Sequence, residues 1–284
     1  MLLKGHGTGN DFVLLPDTDG QYDLTAPQVA ALCDRRAGIG GDGLLRVVPT
    51  ALCAEVADQA SDAEWFMDYR NGDGSTAEMC GNGIRVFARY LVDAGLAAAG
   101  ELHIATRAGV HRLDVPASGD ITVSLGAATT PMVRAMPVVS VPGGQWNATA
   151  VLVPNPHAVV FVDSLDQAGD LRDAPEIVPA SVFPDGANVE FVVRVDAGHV
   201  RMRVHERGVG ETRSCGTGAV AVAWAARRHE ADFEQAPTTW RVDVPGGTLT
   251  VTEQPDGTLD LAGPAVIVAT LTPDDRWWSH LSSL

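Results

Sequence analysis

Two stretches decide how this chain folds: AEMCGNGIRVFARYLVDAGL, residues 77–96, and GVGETRSCGTGAVAVAWAARR, residues 208–228. Each sets a cysteine, Cys80 or Cys215, directly before Gly-x-Gly and follows it with an apolar, helix-like run. A helix that is apolar nearly all round has no solvent face, so each run predicts a buried helix wrapped by sheet. Segments with the two-residue alternation of half-buried strands surround both. In the first half these are DFVLLPD, AEWFMDYRN, ELHIATRAGVHRLDV and DITVSLGAA. In the second they are AVLVPNPHAVVFVDS, read as strand around a loop at residues 154–157, then GANVEFVVRVD, HVRMRVHERG, TLTVTE and TLDLAGPAVIVATL. TAPQVAALCDRR reads as a further helix, with Thr25 as N-cap and Pro27 in its first turn. The proline-bearing TTPMVRAMP reads as a crossing between halves.

Strands outnumber helices, and each half has one glycine-entered helix, which gives an α+β fold of two pseudo-repeated domains. A chain of 284 residues is long enough for two cores. The expected boundaries are residues 1–126, completed by a C-terminal strand at about 264–284, and residues 127–263.

Composition narrows the function. Hydrophobic residues make up 45% and charged residues 20%, an ordinary globular mix. The formal charge of −16, without a basic stripe, argues against a nucleic-acid partner, because phosphate backbones are held by clustered Lys and Arg. No apolar window is long enough to span a bilayer, and MLLKGHGTGNDF has no secretory pattern, so a cytoplasmic protein without a membrane partner is expected. Four scattered cysteines, Cys33, Cys53, Cys80 and Cys215, form neither a disulfide framework nor a CxxC metal pair, so no metal is expected. Lys4 is the only lysine, which leaves pyridoxal phosphate a single Schiff-base candidate and speaks against that cofactor.

The two cysteine turns carry the chemistry. A residue just before the first helical turn faces unpaired backbone N–H groups and the positive end of the helix dipole, and both favour a thiolate. The same N–H groups bind anions such as carboxylates. A single-thiolate hydrolase would leave one of two matched turns idle. A racemase or epimerase needs a base on one face of a carbon and an acid on the other, and it needs the adjacent carboxylate stabilised between them. Cys33 and Cys53, in apolar surroundings without a glycine turn, are expected to be bystanders.

The stretches GTGNDFV, YRNGDGSTAEMCGNGIR, NPH, GANVEF and HERGVGETRSCGTG, in that order, resemble the diaminopimelate epimerase family over almost the whole chain. The resemblance implies two similar domains, each a small β-barrel of strands around a central helix, with the active site in the cleft between them. It implies interconversion of LL- and meso-diaminopimelate by Cys80 and Cys215 without a cofactor. His157 and Glu206 match residues that set the protonation of the thiols. Asn10, Asn71, Asn155, Asn188 and Arg207 match substrate-binding groups, and the backbones of Gly81, Asn82, Gly216 and Thr217 match a cradle for the reacting carboxylate. The small-molecule substrate would be diaminopimelate, and the assembly a homodimer. Gly43 stands where many family members carry Gln, and Pro154 replaces a more familiar Gly.

Three alternatives stay open on the residues alone. Proline racemases and hydroxyproline epimerases share the two-cysteine plan, but carry His where this chain has Asn82. A cysteine hydrolase could use Cys80, His157 and Asn188. A non-catalytic amino-acid-binding protein would tolerate Ser at both cysteines.

Overall fold

The computed structural model describes residues 1–133 and 135–281; Arg134, within the expected crossing, and residues 282–284 lie outside the described part. The chain divides into two compact units, Met1–Val123 with Pro264–Leu284, and Ser124–Gly263.

In the first unit the elements run β1 (Leu2–Gly7), β2 (Asn10–Pro16), α1 (Ala26–Cys33), β3 (Gly43–Pro49), β4 (Trp65–Asn71), α2 (Gly81–Asp93), β5 (Gly100–Thr106), β6 (Gly109–Val115) and β7 (Ile121–Ala127). The hairpin between β1 and β2 turns on Thr8 and Gly9, both at positive φ (49° and 80°). That tight turn matches the strand twist and brings Asn10 opposite Gly7. Thr25 caps α1 in a reciprocal capping box with Gln28, as its spacing predicts. Helix α2 packs against β1 to β6, and every residue from Gly81 to Leu91 is buried. The sheet therefore encloses it, although two of the enclosed residues are arginines, Arg85 and Arg89.

The second unit contains β8 (Val138–Val141), β9 (Gly144–Asn147), β10 (Thr149–Val153), β11 (Asn155–Phe161), β12 (Glu176–Val178), β13 (Asn188–Asp196), β14 (His199–Glu206), β15 (Gly210–Thr212), α3 (Gly216–Arg228), β16 (Thr239–Val244), β17 (Gly247–Glu253) and β18 (Thr258–Gly263). Its main sheet runs β10-β11-β13-β14-β16-β17-β18, with β15 on β14 and a separate sheet β12-β8-β9. Helix α3 packs against all seven strands of that main run. Alanines at 219, 221, 223, 225 and 226 let the strands approach it closely. The chain then returns to the first unit as β19 (Val266–Leu271), which pairs with β1, and α4 (Asp275–Leu281).

Several elements went unread in the sequence. β3 has no alternation because nearly all of GLLRVVP is buried, on both faces of the strand. The short strands β8, β9, β12 and β15, and helix α4, are too short to show a period. Residues 155–157 are not a loop: they open β11, and Pro154 alone separates it from β10, with Val153 paired to Asn155. Among the described residues no helix is long and apolar enough to cross a membrane.

Phe87, on α2, is fully buried. Phe87→Ala leaves a cavity that the surrounding strands cannot fill and is expected to cost about 3–5 kcal/mol, read from urea unfolding.

Each unit contains carboxylates that make its stability acid-sensitive. Burial works against ionisation of Asp68, but hydrogen bonds from Arg107 and Arg70 outweigh it and hold the group below its ordinary value. Burial likewise opposes ionisation of Asp243, yet Arg241, His199 and Thr248 bring it down to about 2. A carboxylate whose folded-state pKa is depressed contributes stability above its unfolded value, about 3.9, and loses it as the pH falls through the folded value. The urea midpoint is expected to drop between about pH 4 and pH 2, and Asp243→Asn to flatten that drop. An unchanged slope in the variant would show that the pair contributes nothing.

Candidate active site

Each cysteine is the N-cap of its helix. Cys80 precedes α2 with extended backbone, φ −141° and ψ 118°, and its Sγ accepts a hydrogen bond from the Gly83 N–H at 3.4 Å. Cys215 precedes α3 with φ −117° and ψ 116°, and its Sγ accepts from the Gly218 N–H at 3.3 Å. Sulfur thus takes the place usually held by a Ser or Asp oxygen. The N–H groups of Gly81 and Asn82, and of Gly216 and Thr217, fall in the first turn, where no intrahelical carbonyl is available to them.

Around Cys80 the first unit gathers Asn10 and Asn82. The Cys80 thiol donates to Asn10 Oδ1 at 3.7 Å, and Asn82 Nδ2 donates to the same oxygen at 3.3 Å. Asn10 Nδ2 donates to Asp42 Oδ2 at 2.7 Å, which fixes the amide so that its oxygen faces the sulfur. Arg35 bridges Asp42 and Asp11, each at 2.6 Å. Asn71 sits in its own turn, accepting from the Tyr69 hydroxyl and donating to Ser75 Oγ, both at 3.0 Å. Within α2, Arg85 is fully buried; it donates from Nη1 to the Gly81 carbonyl at 2.7 Å and from Nη2 to Asn82 Oδ1 at 2.8 Å.

The second unit surrounds Cys215 with acidic groups. Cys215 Sγ lies 3.5 Å from Thr217 Oγ1. Glu206 accepts from the Thr212 hydroxyl. His157 and Glu190 are both wholly buried, with Nδ1 and Oε1 2.7 Å apart, and His157 Nε2 lies 3.0 Å from Asn155 Oδ1. Asn188 Oδ1 accepts from the Arg207 backbone N–H at 2.9 Å, so His157 is oriented by Glu190 and Asn155 rather than by Asn188. The exposed Arg207 side chain donates to the Asp185 carbonyl at 3.1 Å.

The thiolate expected at both turns needs correction at Cys215. Its burial, then the charges of Glu206 and Glu190, push the thiol well above its ordinary value, and the bonds from Thr217 and Gly218 only partly oppose them. Burial likewise pushes Cys33 up to about 11 and raises Cys53, in line with their bystander reading.

Sequence reasoning missed Glu190 and Arg85. The signal was available: Glu190 stands among apolar residues in ANVEFVV, and Arg85, like Arg89, interrupts a largely apolar helix. At Gly43 the backbone leaves no room for a side chain, because a Cβ there would lie 2.5 Å from the Arg70 carbonyl oxygen and 2.7 Å from the Tyr69 ring.

The fold of paired α+β units around enclosed helices is shared by proteins of low sequence identity. A probable proline racemase from Agrobacterium radiobacter matches with a TM-score of 0.64 at 16% identity, covering 96% of this chain and 93% of that one. A phenazine biosynthesis protein of the PhzF family from Bacillus anthracis matches with a TM-score of 0.64 at 17% identity, covering 94% and 96%. Sequence goes further than fold. The diaminopimelate epimerase family model matches residues 2–131 and 149–268. A diaminopimelate epimerase of Streptomyces coelicolor is 57% identical over 97% of this chain and 96% of its own length, and one of Rhodococcus jostii is 48% identical over 98% and 99%. The chain belongs to the diaminopimelate epimerase family.

Gly218 shows how tightly the second turn is built. Gly→Ala inside a helix ordinarily stabilises by about 0.5–1 kcal/mol. Here the added Cβ would lie 2.7 Å from Glu190 Oε1 and 3.3 Å from Cys215 Sγ. Gly218→Ala is therefore expected to destabilise by about 1–3 kcal/mol in urea unfolding. Gly83→Ala, whose nearest neighbour is the flexible Leu45 side chain at 3.2 Å, is expected to cost less.

Proposed function

We propose that this chain epimerises LL-diaminopimelate to the meso form by a two-thiol mechanism, as a cytoplasmic homodimer, with no cofactor or metal. The observation that carries the reading is the repeated N-cap cysteine, each sulfur held by an N–H three residues on, at the start of an enclosed helix. Family membership and the relatives' names support the substrate.

In the LL-to-meso direction the Cys80 thiolate takes the α-proton and becomes a thiol. The electron pair left on carbon is delocalised into the adjacent carboxylate, which the first-turn N–H groups of Gly81, Asn82, Gly216 and Thr217 stabilise. The Cys215 thiol gives its proton to the opposite face and becomes the thiolate, so protons and charge balance, and the reverse reaction exchanges the roles. His157 and Glu206 return the thiols to their starting protonation. Asn10, Asn71, Asn155, Asn188 and Arg207 bind the substrate, and several of them read the distal amino-carboxylate, for which a planar guanidinium fork is well suited.

Incubation with LL-diaminopimelate in D2O, followed by proton NMR, tests the reading. The meso product is expected to carry solvent deuterium at the inverted carbon, and Cys80→Ser and Cys215→Ser are each expected to slow turnover at least about 100-fold. Activity that survives loss of Cys215 would favour a hydrolase, and equal turnover of proline would favour a proline racemase. Arg207→Lys keeps the charge and loses the fork, so KM for diaminopimelate is expected to rise about tenfold.

A further inference from the structure

The two cysteine turns repeat each other in backbone and differ in what is buried behind them. In both, the glycine three residues after the cysteine presses on a strand: Gly83 faces Leu45 and Gly218 faces Glu190. These strand residues hold equivalent places, since Leu45 lies on β3, parallel to β2, and Glu190 on β13, parallel to β11. Five residues after the cysteine the difference recurs with opposite sign, as Arg85 in α2 corresponds to Val220 in α3, and all four residues are fully buried. Each turn thus has one buried charge where its counterpart has an aliphatic side chain.

Neither charge is fully satisfied. Glu190 Oε2 and Arg85 Nε have no hydrogen-bond partner. A buried charge with an unmet polar atom is costly, and the repeat itself shows that an aliphatic residue fits each position. Stability alone gives no reason for either one.

Their surroundings supply a reason. The ionisable groups about Cys215 are Glu190 on β13, Glu206 at the end of β14 and, bonded to Glu190, His157 on β11. About Arg85 they are Cys80, at the start of α2, and Asp120. Burial brings Arg85 down to about 10, which still leaves it cationic at neutral pH. A negative charge behind a sulfur opposes the thiolate, and a positive one favours it.

We propose that Glu190 and Arg85 are positioning residues that make the two turns unequal: Glu190 orients His157 and holds Cys215 as the thiol, while Arg85 orients Asn82, whose amide bonds the Asn10 oxygen that faces Cys80. The inference rests on the two-thiol reading and assigns the direction in which the resting enzyme is loaded. With Cys215 held as the thiol, the free enzyme is set to accept one epimer; turnover leaves that sulfur as the thiolate, and the buried Glu190 favours its return to the thiol.

Protein labelled with 13C at cysteine Cβ reports each thiol's ionisation by NMR as a function of pH, without substrate. Glu190→Gln is expected to move the Cys215 midpoint to lower pH and leave Cys80 in place; Glu190→Asp, which keeps the charge, is expected to restore it. Arg85→Val, the residue at the corresponding place in α3, is expected to release Asn82, seen as a raised KM, and to leave the Cys215 midpoint in place. If Arg85→Val does not fold, the Glu190 variants decide the proposal. In turnover, Glu190→Gln is expected to lower kcat about tenfold with KM within about twofold. A purely structural role would lower thermal stability without moving one midpoint selectively, and an unmoved Cys215 midpoint in Glu190→Gln overturns the proposal. Failure of the parent protein to exchange the α-proton of diaminopimelate would instead sink the assigned reaction, and the cysteine titrations would stand apart from that result.

Discussion

A helix enclosed by sheet has only its ends to offer a ligand. Its side chains are committed to packing and its central N–H and C=O groups to one another, so the orphan N–H groups of the first turn become the available donors. Both α2 and α3 are in this position, and both have a cysteine as N-cap. The rest of each unit serves that end: the close strands need small residues along α3, and the tight Thr8–Gly9 turn brings Asn10 to the Cys80 sulfur.

The helix terminus by itself does not settle the state of a sulfur there. Two cysteines with the same cap geometry sit in different fields, because desolvation and neighbouring carboxylates act on Cys215 more strongly than two hydrogen bonds do. Dipole effects at helix ends are worth about 0.3–1 kcal/mol when exposed, whereas burial of a charge costs several times more. Equal backbone therefore permits unequal chemistry, which a reaction with distinct acid and base requires.

Much was legible in the sequence because it is local. The capping box of Thr25 and Gln28, the two cysteine N-caps and the alternation of β14 depend on residues a few positions apart, where spacing and conformation determine each other, whereas β13, read as alternating, is buried on both faces over its first five residues. The buried strand β3 was not legible, since a strand covered on both faces has lost its alternation. Nor was the start of β11, where Asn-Pro-His carries the composition of a turn but is held in strand by its pairing with β10 and β13.

The sequence by itself determined the types of most long elements, the repeat and the two cysteine turns, all consequences of short-range spacing. Only the tertiary structure decided what lies behind those turns. Glu190 is 25 residues before Cys215 and meets it because β13 lies beneath the start of α3, and no spacing rule connects them. Arg85 is only five residues after Cys80, yet its role follows from complete enclosure by strands far along the chain. Electrostatic effect depends on distance and on exclusion of water, and both are properties of the packed fold.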